Sequence, residues 1–361
     1  MRIGRFQKTG HRKNATVWLL AVAFLFCRGG VPFLSSSAAE GDAGAALLEG
    51  LLACDAVVDL SAYALPTGEL GALFSELVYG YPELFHVALR LSFSTREAAG
   101  GRVVAEVYPT YTMTGQELAA ARALYRDTVS ALLGEMEAAF GGRTRGEAET
   151  VLYLHDCLAD RYAYDTRPTG NATAYALFRD GVGICQAYAL AFLALARGAG
   201  LEADLVTSDG MDHAWNHVRV DGVWYHVDVT RDDPIPSAEG GEEVNHARLL
   251  RSDEGMASLG YFGYTCGAGH ACTDTRFEPG GEAALSAFRG ALIPLDGGWA
   301  GLDGGAPAAV EIRAEGMTVG APGDLNRDGA VNPADLLAVY DPLYPEAWRG
   351  WLRGRLVGQG S

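Results

Sequence analysis

One stretch decides the fold of this chain: G-V-G-I-C-Q-A-Y-A-L-A-F, residues 181–192. It leads from two glycines into an almost wholly apolar run that closes at Gly198-Ala199-Gly200. A helix that is apolar on all sides is buried, so the pattern predicts a central helix that begins at Cys185. The unpaired N–H groups and positive dipole end of a helix start favour a thiolate. Cys185 is therefore predicted to be a reactive thiol rather than a core cysteine, the bland alternative for this residue type.

Two runs downstream supply partners for this thiol. H-A-W-N-H-V begins at His213, and W-Y-H-V-D-V-T contains Asp228. A cysteine, a histidine and an aspartate are the residue types that a thiol nucleophile, its general base and the orienting partner of that base require. The order along the chain thus predicts a catalytic triad of Cys185, His213 and Asp228.

The spacing between these two runs predicts a β-hairpin. Asp221-Gly222 separates two alternating stretches and is a strong signal for a two-residue turn. The predicted register opposes residues symmetrically about that turn: Val220 to Val223, Trp215 to Asp228, and His213 to Thr230. On this register His213 and Asp228 are diagonal neighbours on one face, about 7–8 Å apart at Cα. Alanine and valine occupy the other face, which is predicted to be core.

Further histidines and cysteines leave metal binding open as an alternative. His217 falls opposite His226 and could bind a metal with Asp228, although polar surface at the rim of the site is favoured. Within Y-T-C-G-A-G-H-A-C-T, residues 264–273, His270 lies between two cysteines. A disulfide or two free thiols is favoured there over zinc, because no second cysteine or histidine cluster stands nearby in sequence.

The first 39 residues are predicted to be a secretory signal that is removed. They hold six basic and no acidic residues, an apolar run from Val17 to Phe26, and Ser37-Ala38-Ala39 as a cleavage site. The apolar run is too short to span a bilayer of about 30 Å, which disfavours an uncleaved anchor. The mature chain is expected to be secreted or attached to the cell surface.

Charge and cysteine count narrow the range of partners. Loss of the six basic signal residues takes the net charge from −17 to about −23, which makes nucleic acid and anionic membranes poor partners. Five cysteines would remain, an odd number for an exported protein. That count allows Cys185 to be the unpaired thiol while the four others form two bridges: Cys54, Cys157, Cys266 and Cys272.

Periodicity, composition and sequence motifs together divide the chain into five predicted segments. Alternating runs around residues 97–101 predict a hairpin, and helical periodicity is found near Leu70–Tyr79, over Gln116–Phe140 and from about Gly146 to Tyr162. The predicted boundaries are a signal at 1–39, an N-terminal α+β segment at 40–145, a catalytic core at 146–275, a Gly/Ala-rich linker with one strand near Ala309–Arg313 at 276–322, and a calcium-binding repeat at 323–361.

Three ordered blocks resemble the transglutaminase-like core superfamily, in particular its secreted bacterial members. The blocks are residues 181–192, H-A-W-N-H-V, and W-Y-H-V-D-V-T-R-D-D-P, residues 224–234. The resemblance implies an α+β, papain-like fold in which the cysteine-bearing helix packs on an antiparallel sheet. By matching position it implies that Cys185 is the nucleophile, His213 the general base and Asp228 its orienting partner. Arg231 is a departure, since these relatives more often carry an aromatic residue there.

The same resemblance implies attack of the Cys185 thiolate on an amide or peptide carbonyl, followed by an acyl-enzyme. Water as the second substrate gives hydrolysis and an amine gives transamidation; the superfamily contains both, as well as inactive members. We therefore expect a cysteine hydrolase or acyltransferase that acts on protein or cell-wall peptide and needs no cofactor for catalysis. The alternative is a non-catalytic surface or scaffold-associated protein that binds peptides with the same fold.

The C-terminal segment contains a calcium-loop pattern, D-L-N-R-D-G-A-V-N-P-A-D, residues 324–335. Oxygen ligands at positions one, three, five and twelve, glycine at six and a backbone carbonyl at seven match such a loop. It resembles a dockerin repeat, which implies a cohesin-type scaffold as a partner, but dockerins normally have two repeats and only one is found here. The predicted Ca²⁺ ligands are Asp324, Asn326, Asp328, Ala330 and Asp335.

Overall fold

The computed structural model describes residues 18–21, 42–140, 145–165, 172–233, 244–265, 270–278, 289–295, 298–303, 306–313, 316–327, 329–331, 334–335 and 352. Helices and mostly antiparallel sheets follow one another along the chain. The predicted α+β class is confirmed. None of the helices in these ranges combines the length and apolar composition that a membrane span requires.

The N-terminal part is a sheet covered by two helices with a core of its own. Its elements are β1 (Trp18–Ala21), α1 (Ala43–Ala53), β2 (Val58–Asp59), α2 (Leu70–Gly80), β3 (Val87–Ala98) and β4 (Gly101–Tyr111). The strands lie in the order β1-β3-β4-β2, and the predicted hairpin is confirmed with Ala98 opposite Gly101. β1 falls inside the predicted signal, whose other residues lie outside the described ranges; its removal stays a prediction.

A layer of helices surrounds the cysteine-bearing helix. Along the chain this part runs through α3 (Gly115–Ala139), α4 (Glu147–Arg161), β5 (Ala163–Tyr164), α5 (Ala174–Asp180) and β6 (Val182–Gly183) to the cysteine-bearing helix itself, α6 (Cys185–Gly198). α6 begins at Cys185, as predicted, and is buried from Ala187 to Ala196. It packs against α3, α4 and α5 on one side and against the strands Ala203–Ser208 and His213–Val220 on the other, so the apolar run is covered by helices and by a sheet.

The second sheet carries the predicted hairpin. It is built from β7 (Ala203–Ser208), β8 (His213–Val220), β9 (Val223–Val227) and β10 (Tyr264–Thr265), in the order β10-β7-β8-β9. Asp221 and Gly222 both have positive φ, 50° and 83°, as a two-residue hairpin turn requires. The predicted register is confirmed from Val220–Val223 to Asn216–Val227.

Beyond Asn216 the predicted register is wrong. β9 ends at Val227 because Asp228 caps a short helix, α7 (Val229–Asp232), where its carboxylate accepts the Arg231 N–H at 3.2 Å. The predicted pairs Trp215–Asp228 and His213–Thr230 therefore do not form. β8 nevertheless continues to His213, because β7 pairs with it on the other side.

Residues after 250 form more structure than predicted. A short helix, α8 (Asp253–Ser258), is followed by an antiparallel sheet of β11 (Arg289–Leu295), β12 (Gly298–Asp303), β13 (Ala306–Arg313) and β14 (Gly316–Val319). The predicted linker with a single strand is thus a sheet. Trp299 on β12 packs this sheet against the helical part of the chain. Its indole is buried against Phe140, and the indole N–H donates to Glu149 at 2.7 Å.

Candidate active site

The structure brings Cys185, His213 and Asp228 together at the meeting point of three elements. Cys185 is the first residue of α6 and is half-buried, His213 is the first residue of β8, and Asp228 caps α7. His213 Nε2 lies 2.6 Å from Asp228 Oδ2. The Cys185 thiol lies near enough to the His213 ring to help raise the pKa of that histidine. Because Nε2 is taken by the carboxylate, Nδ1 is the nitrogen left for the thiol.

Asp228 is the most constrained member of this group. It is fully buried; Oδ2 accepts hydrogen bonds from His213 and the Tyr261 hydroxyl, and Oδ1 accepts the Arg231 N–H. Burial alone would raise the pKa of Asp228, but attraction to His213 and these hydrogen bonds outweigh it and lower the pKa. The carboxylate is therefore charged at neutral pH.

That charge decides the protonation of His213. Burial works to lower the pKa of His213, but attraction and hydrogen bonding to Asp228, together with the nearby Cys185 thiol, raise it to about 9. The ring also stacks on Trp215, with centroids 5.5 Å apart. An imidazolium held between a carboxylate and a thiol is the arrangement that stabilises a thiolate.

Tyr261 belongs to the site, although the sequence patterns did not single it out. Its hydroxyl donates to Asp228, and the Arg231 guanidinium lies 4.7 Å from its ring centre. Tyr261 reaches the site from a segment of residues 251–265 and 270–278, called the covering segment below. The surrounding S-L-G-Y-F-G-Y is an aromatic-rich loop, the one sequence signal that could have drawn attention to it.

The covering segment also corrects the interpretation of His217 and His226 as polar surface at a rim. Both side chains are fully buried, because the covering segment lies over their face of the hairpin. Asp228 is engaged with His213 and Tyr261 rather than with this pair. Instead His226 Nδ1 accepts the Trp215 indole N–H at 2.9 Å, and His226 Nε2 donates to Asp253 at 3.0 Å. Burial and the neighbouring His226 and His270 hold the pKa of His217 well below its usual range.

A buried network of charges lies on the far side of α7. Asp156 Oδ1 accepts from His155 and His246, each at 2.8 Å, and Asp232 accepts from His155 and Arg248. Burial opposes a charge on His155, but hydrogen bonds to the two aspartates raise its pKa to about 9. Burial likewise opposes a charge on Asp156, yet attraction to His246 and His155 lowers its pKa to about 2. These contacts anchor the last residue of α7 and thereby hold the helix that Asp228 caps.

The two disulfides that the cysteine count allowed do not both form. Cys54 and Cys157 have no disulfide in the structure: the Cys54 thiol contacts His86 at 3.3 Å, and Cys157 lies on α4. Cys185 also has no disulfide, and Cys266 lies outside the described residues. Burial raises the pKa of the Cys157 thiol to about 11, the opposite of what a reactive thiol needs.

The predicted calcium loop is described in part. Asp324 and Asp335 are buried; Asp324 accepts the Gly329 N–H at 3.0 Å, and Asp335 accepts the N–H groups of Leu325 and Asn326 at 2.7 and 3.0 Å. Asn326 and Ala330 are exposed, and Asp328 lies outside the described residues. A loop closed by its first and last acidic residues fits an oxygen-ligand cation site, and Ca²⁺ suits such ligands.

Comparison with known proteins agrees with this architecture. Residues 136–229, which include all three candidate residues, match the model of the transglutaminase-like superfamily. This part of the chain is therefore similar to the transglutaminase-like superfamily. A search of curated proteins finds no match.

Two solved structures are similar to parts of the chain. One is described as "a TGase", with 16% identity, coverage of 42% of this chain and 47% of that one, and a TM-score of 0.25. The other is a "Putative Cysteine Protease from Cytophaga hutchinsonii", with 17% identity, coverage of 39% and 62%, and a TM-score of 0.25. In each case the chain spans less than two thirds of the protein that it matches.

Proposed function

We propose that this protein is an exported cysteine hydrolase or acyltransferase that attacks amide or peptide carbonyls of protein or cell-wall peptide. The observation that carries the proposal is the hydrogen bond from His213 to the buried Asp228, with the Cys185 thiol at a helix start close enough to influence the same imidazole. The neighbours of Cys185 favour thiol catalysis: a charged carboxylate and a protonated imidazole stand beside a cysteine at a helix start.

The proposed reaction follows from the positions of these atoms. The Cys185 thiolate attacks the carbonyl carbon, and the first N–H groups of α6 stabilise the resulting oxyanion. The C–N bond breaks as His213 Nδ1–H gives its proton to the leaving amine or ammonia, which leaves a thioester on Cys185. Water or a second amine then attacks the thioester, His213 takes up the proton, and the acid or new amide departs. Asp228 keeps the imidazole oriented throughout.

The reaction type is tested with a library of carboxamide-containing peptides, incubated with and without a primary amine. We expect release of ammonia or of a shorter peptide, and with added amine the fraction of new amide measures transfer against hydrolysis. Iodoacetamide should label Cys185 faster at neutral pH than it labels a model thiol, because a thiolate is the nucleophile. Peptide binding without turnover, together with model-thiol labelling rates, would overturn the proposal in favour of a peptide-binding protein.

We also propose that the 324–335 loop binds Ca²⁺ and stabilises the C-terminal segment. Asp324→Asn and Asp335→Asn should each abolish the rise in thermal unfolding temperature that Ca²⁺ gives to the wild type. Saturation at 100 times Kd corresponds to about 2.7 kcal/mol of stabilisation. Differential scanning calorimetry with Ca²⁺ or chelator measures the effect, and Asp274→Asn serves as the control. Equal unfolding temperatures with and without Ca²⁺ in the wild type would exclude the site.

A further inference from the structure

Three side chains of the metal-ligand type meet beneath the covering segment. His217 and His226 lie opposite each other on β8 and β9, and Cys272 is brought over them by the covering segment. Their exposed fractions are 0%, 0% and 1%. One ligand atom from each lies within 4.8 Å of the others. The two sequence patterns that separately raised metal binding are thus combined by the fold into a single cluster.

The two imidazoles do not satisfy each other by hydrogen bonding. His217 Nε2 lies 3.1 Å from His226 Nδ1, whose one lone pair already accepts the Trp215 N–H. His217 Nδ1 has no hydrogen-bond partner among the described residues. If His217 Nε2 is unprotonated, its lone pair faces the lone pair of His226 Nδ1. If it carries the proton, its N–H and the Trp215 N–H compete for that one lone pair. Buried polar atoms in native proteins are seldom left in this way, and each such case calls for a cause.

The spacing of the ligand atoms fits a tetrahedral ion. Bonds of about 2.0–2.1 Å from zinc to nitrogen place two imidazole nitrogens about 3.3 Å apart, close to the observed 3.1 Å. A thiolate in the same tetrahedron lies about 3.6 Å from each nitrogen. The Cys272 sulfur is already within 4.8 Å of both nitrogens, so a small side-chain rotation brings it into position as the third ligand.

The surrounding contacts are those that support metal ligands. His226 Nε2 donates to Asp253 Oδ1 at 3.0 Å, which leaves Nδ1 as the coordinating nitrogen. The other oxygen of Asp253 accepts the Cys272 N–H at 2.8 Å, and the Asp253 N–H donates to the Cys272 carbonyl. A carboxylate that orients a histidine ligand in this manner is a recurring feature of metal sites. Here one aspartate orients two of the three ligands.

We propose that His217, His226 and Cys272 bind one transition-metal ion, for which Zn²⁺ has the best-matched chemistry. Imidazole and thiolate ligands suit zinc, whereas Ca²⁺ and Mg²⁺ require oxygen. All three side chains are buried, so the ion is structural: it fastens the covering segment, and with it Tyr261, to the hairpin that carries His213. One enclosed water supplies the fourth position of the tetrahedron. Binding removes the Cys272 thiol proton and requires the Trp215 N–H to leave His226 Nδ1.

The test is metal analysis of the full protein with Ca²⁺ present to occupy the oxygen-ligand loop. We expect one zinc per chain in the wild type after dialysis, and loss of that zinc in Cys272→Ser and in His217→Gln. Cys157→Ser is the matched control, because that cysteine is partly buried and lies on α4, away from the cluster; the variant should keep its zinc. Trp215→Phe should bind zinc about fivefold more tightly, since it no longer competes for His226 Nδ1.

A spectroscopic measurement decides the matter if the Cys272 variant does not fold. Cobalt is exchanged for zinc in a protein carrying Cys54→Ser and Cys185→Ala, which removes the two other cysteines that contact a histidine. We expect the intense visible bands of tetrahedral cobalt together with a thiolate-to-cobalt charge-transfer band in the near ultraviolet. The proposal is overturned if the wild type takes up no stoichiometric zinc, if the cobalt spectrum has no thiolate band, or if intact-protein mapping finds Cys272 in a disulfide with Cys266. Each readout is independent of enzymatic activity.

Discussion

Replacement of Cys185 by alanine should abolish covalent acyl transfer, with kcat/KM reduced by at least about a thousandfold. The physical reason is that the reaction loses the atom that carries the acyl group, while the His213–Asp228 pair and the start of α6 remain. The measurement is turnover of the best peptide amide from the library, combined with intact-mass detection of the acyl-enzyme. The mass increase should appear on the wild type and be absent from the variant.

The matched control for this experiment is Cys157→Ala. Cys157 is a partly buried thiol on α4 whose pKa is raised by burial, so it provides a cysteine of the same chain without the reactive setting. It should retain full turnover and the acyl mass shift. If Cys185→Ala keeps wild-type turnover, or if the acyl group maps to another residue, Cys185 is not the nucleophile.

Asp228→Asn should lower kcat/KM by about 10³- to 10⁴-fold and move the basic limb of the pH profile toward lower pH. In the wild type, Asp228 holds the pKa of His213 at about 9, so the imidazolium persists up to that pH. An asparagine offers no charge, and burial then dominates and lowers the pKa of His213. The protonated form that delivers a proton to the leaving group is lost at correspondingly lower pH. Rates measured across the range from pH 5 to about 10 report this limb directly.

A second buried aspartate supplies the control. Asp233, on the same segment of chain, accepts a hydrogen bond from Tyr188 instead of from His213, and burial raises its pKa to about 6. Asp233→Asn should leave the basic limb in place even if it lowers stability. A pH profile of Asp228→Asn with an unchanged basic limb would contradict the role assigned to the carboxylate, whatever the size of the rate change.

The central helix and the hairpin could be predicted because each depends on residues that are close together in the sequence. The apolar run after Cys185 fixes a buried helix, and Asp221-Gly222 fixes a turn by its positive φ angles. The predicted β8–β9 register is wrong beyond Val227, because the Asp228 side chain caps a helix instead. That cap ends β9 before the predicted pairs can form. Asp228 nevertheless lies beside His213, because its position at the start of α7 is next to the end of β8 that carries His213.

What the sequence could not provide are contacts between distant segments. Tyr261 follows Asp228 after a long stretch of chain, and neither periodicity nor a motif indicates that its hydroxyl reaches that carboxylate. Burial of His217 and His226 was missed for the same reason, because a strand reveals which residues share a face but not what covers it. Trp299 anchors a sheet in a stretch rich in glycine and alanine, whose composition resembles a linker.

The two carboxylate oxygens of Asp228 bind different parts of the structure. Oδ1 stops the strand and holds the first turn of α7, while Oδ2 holds His213 and Tyr261. The pKa of this carboxyl is lowered, so its contribution is present at neutral pH and is lost as the pH falls through the folded-state pKa. Protonation of Asp228 should therefore weaken the cap of α7 and the hydrogen bond to the His213 ring at the same pH. Local order around α7 and the orientation of His213 therefore depend on the charge of a single carboxyl group.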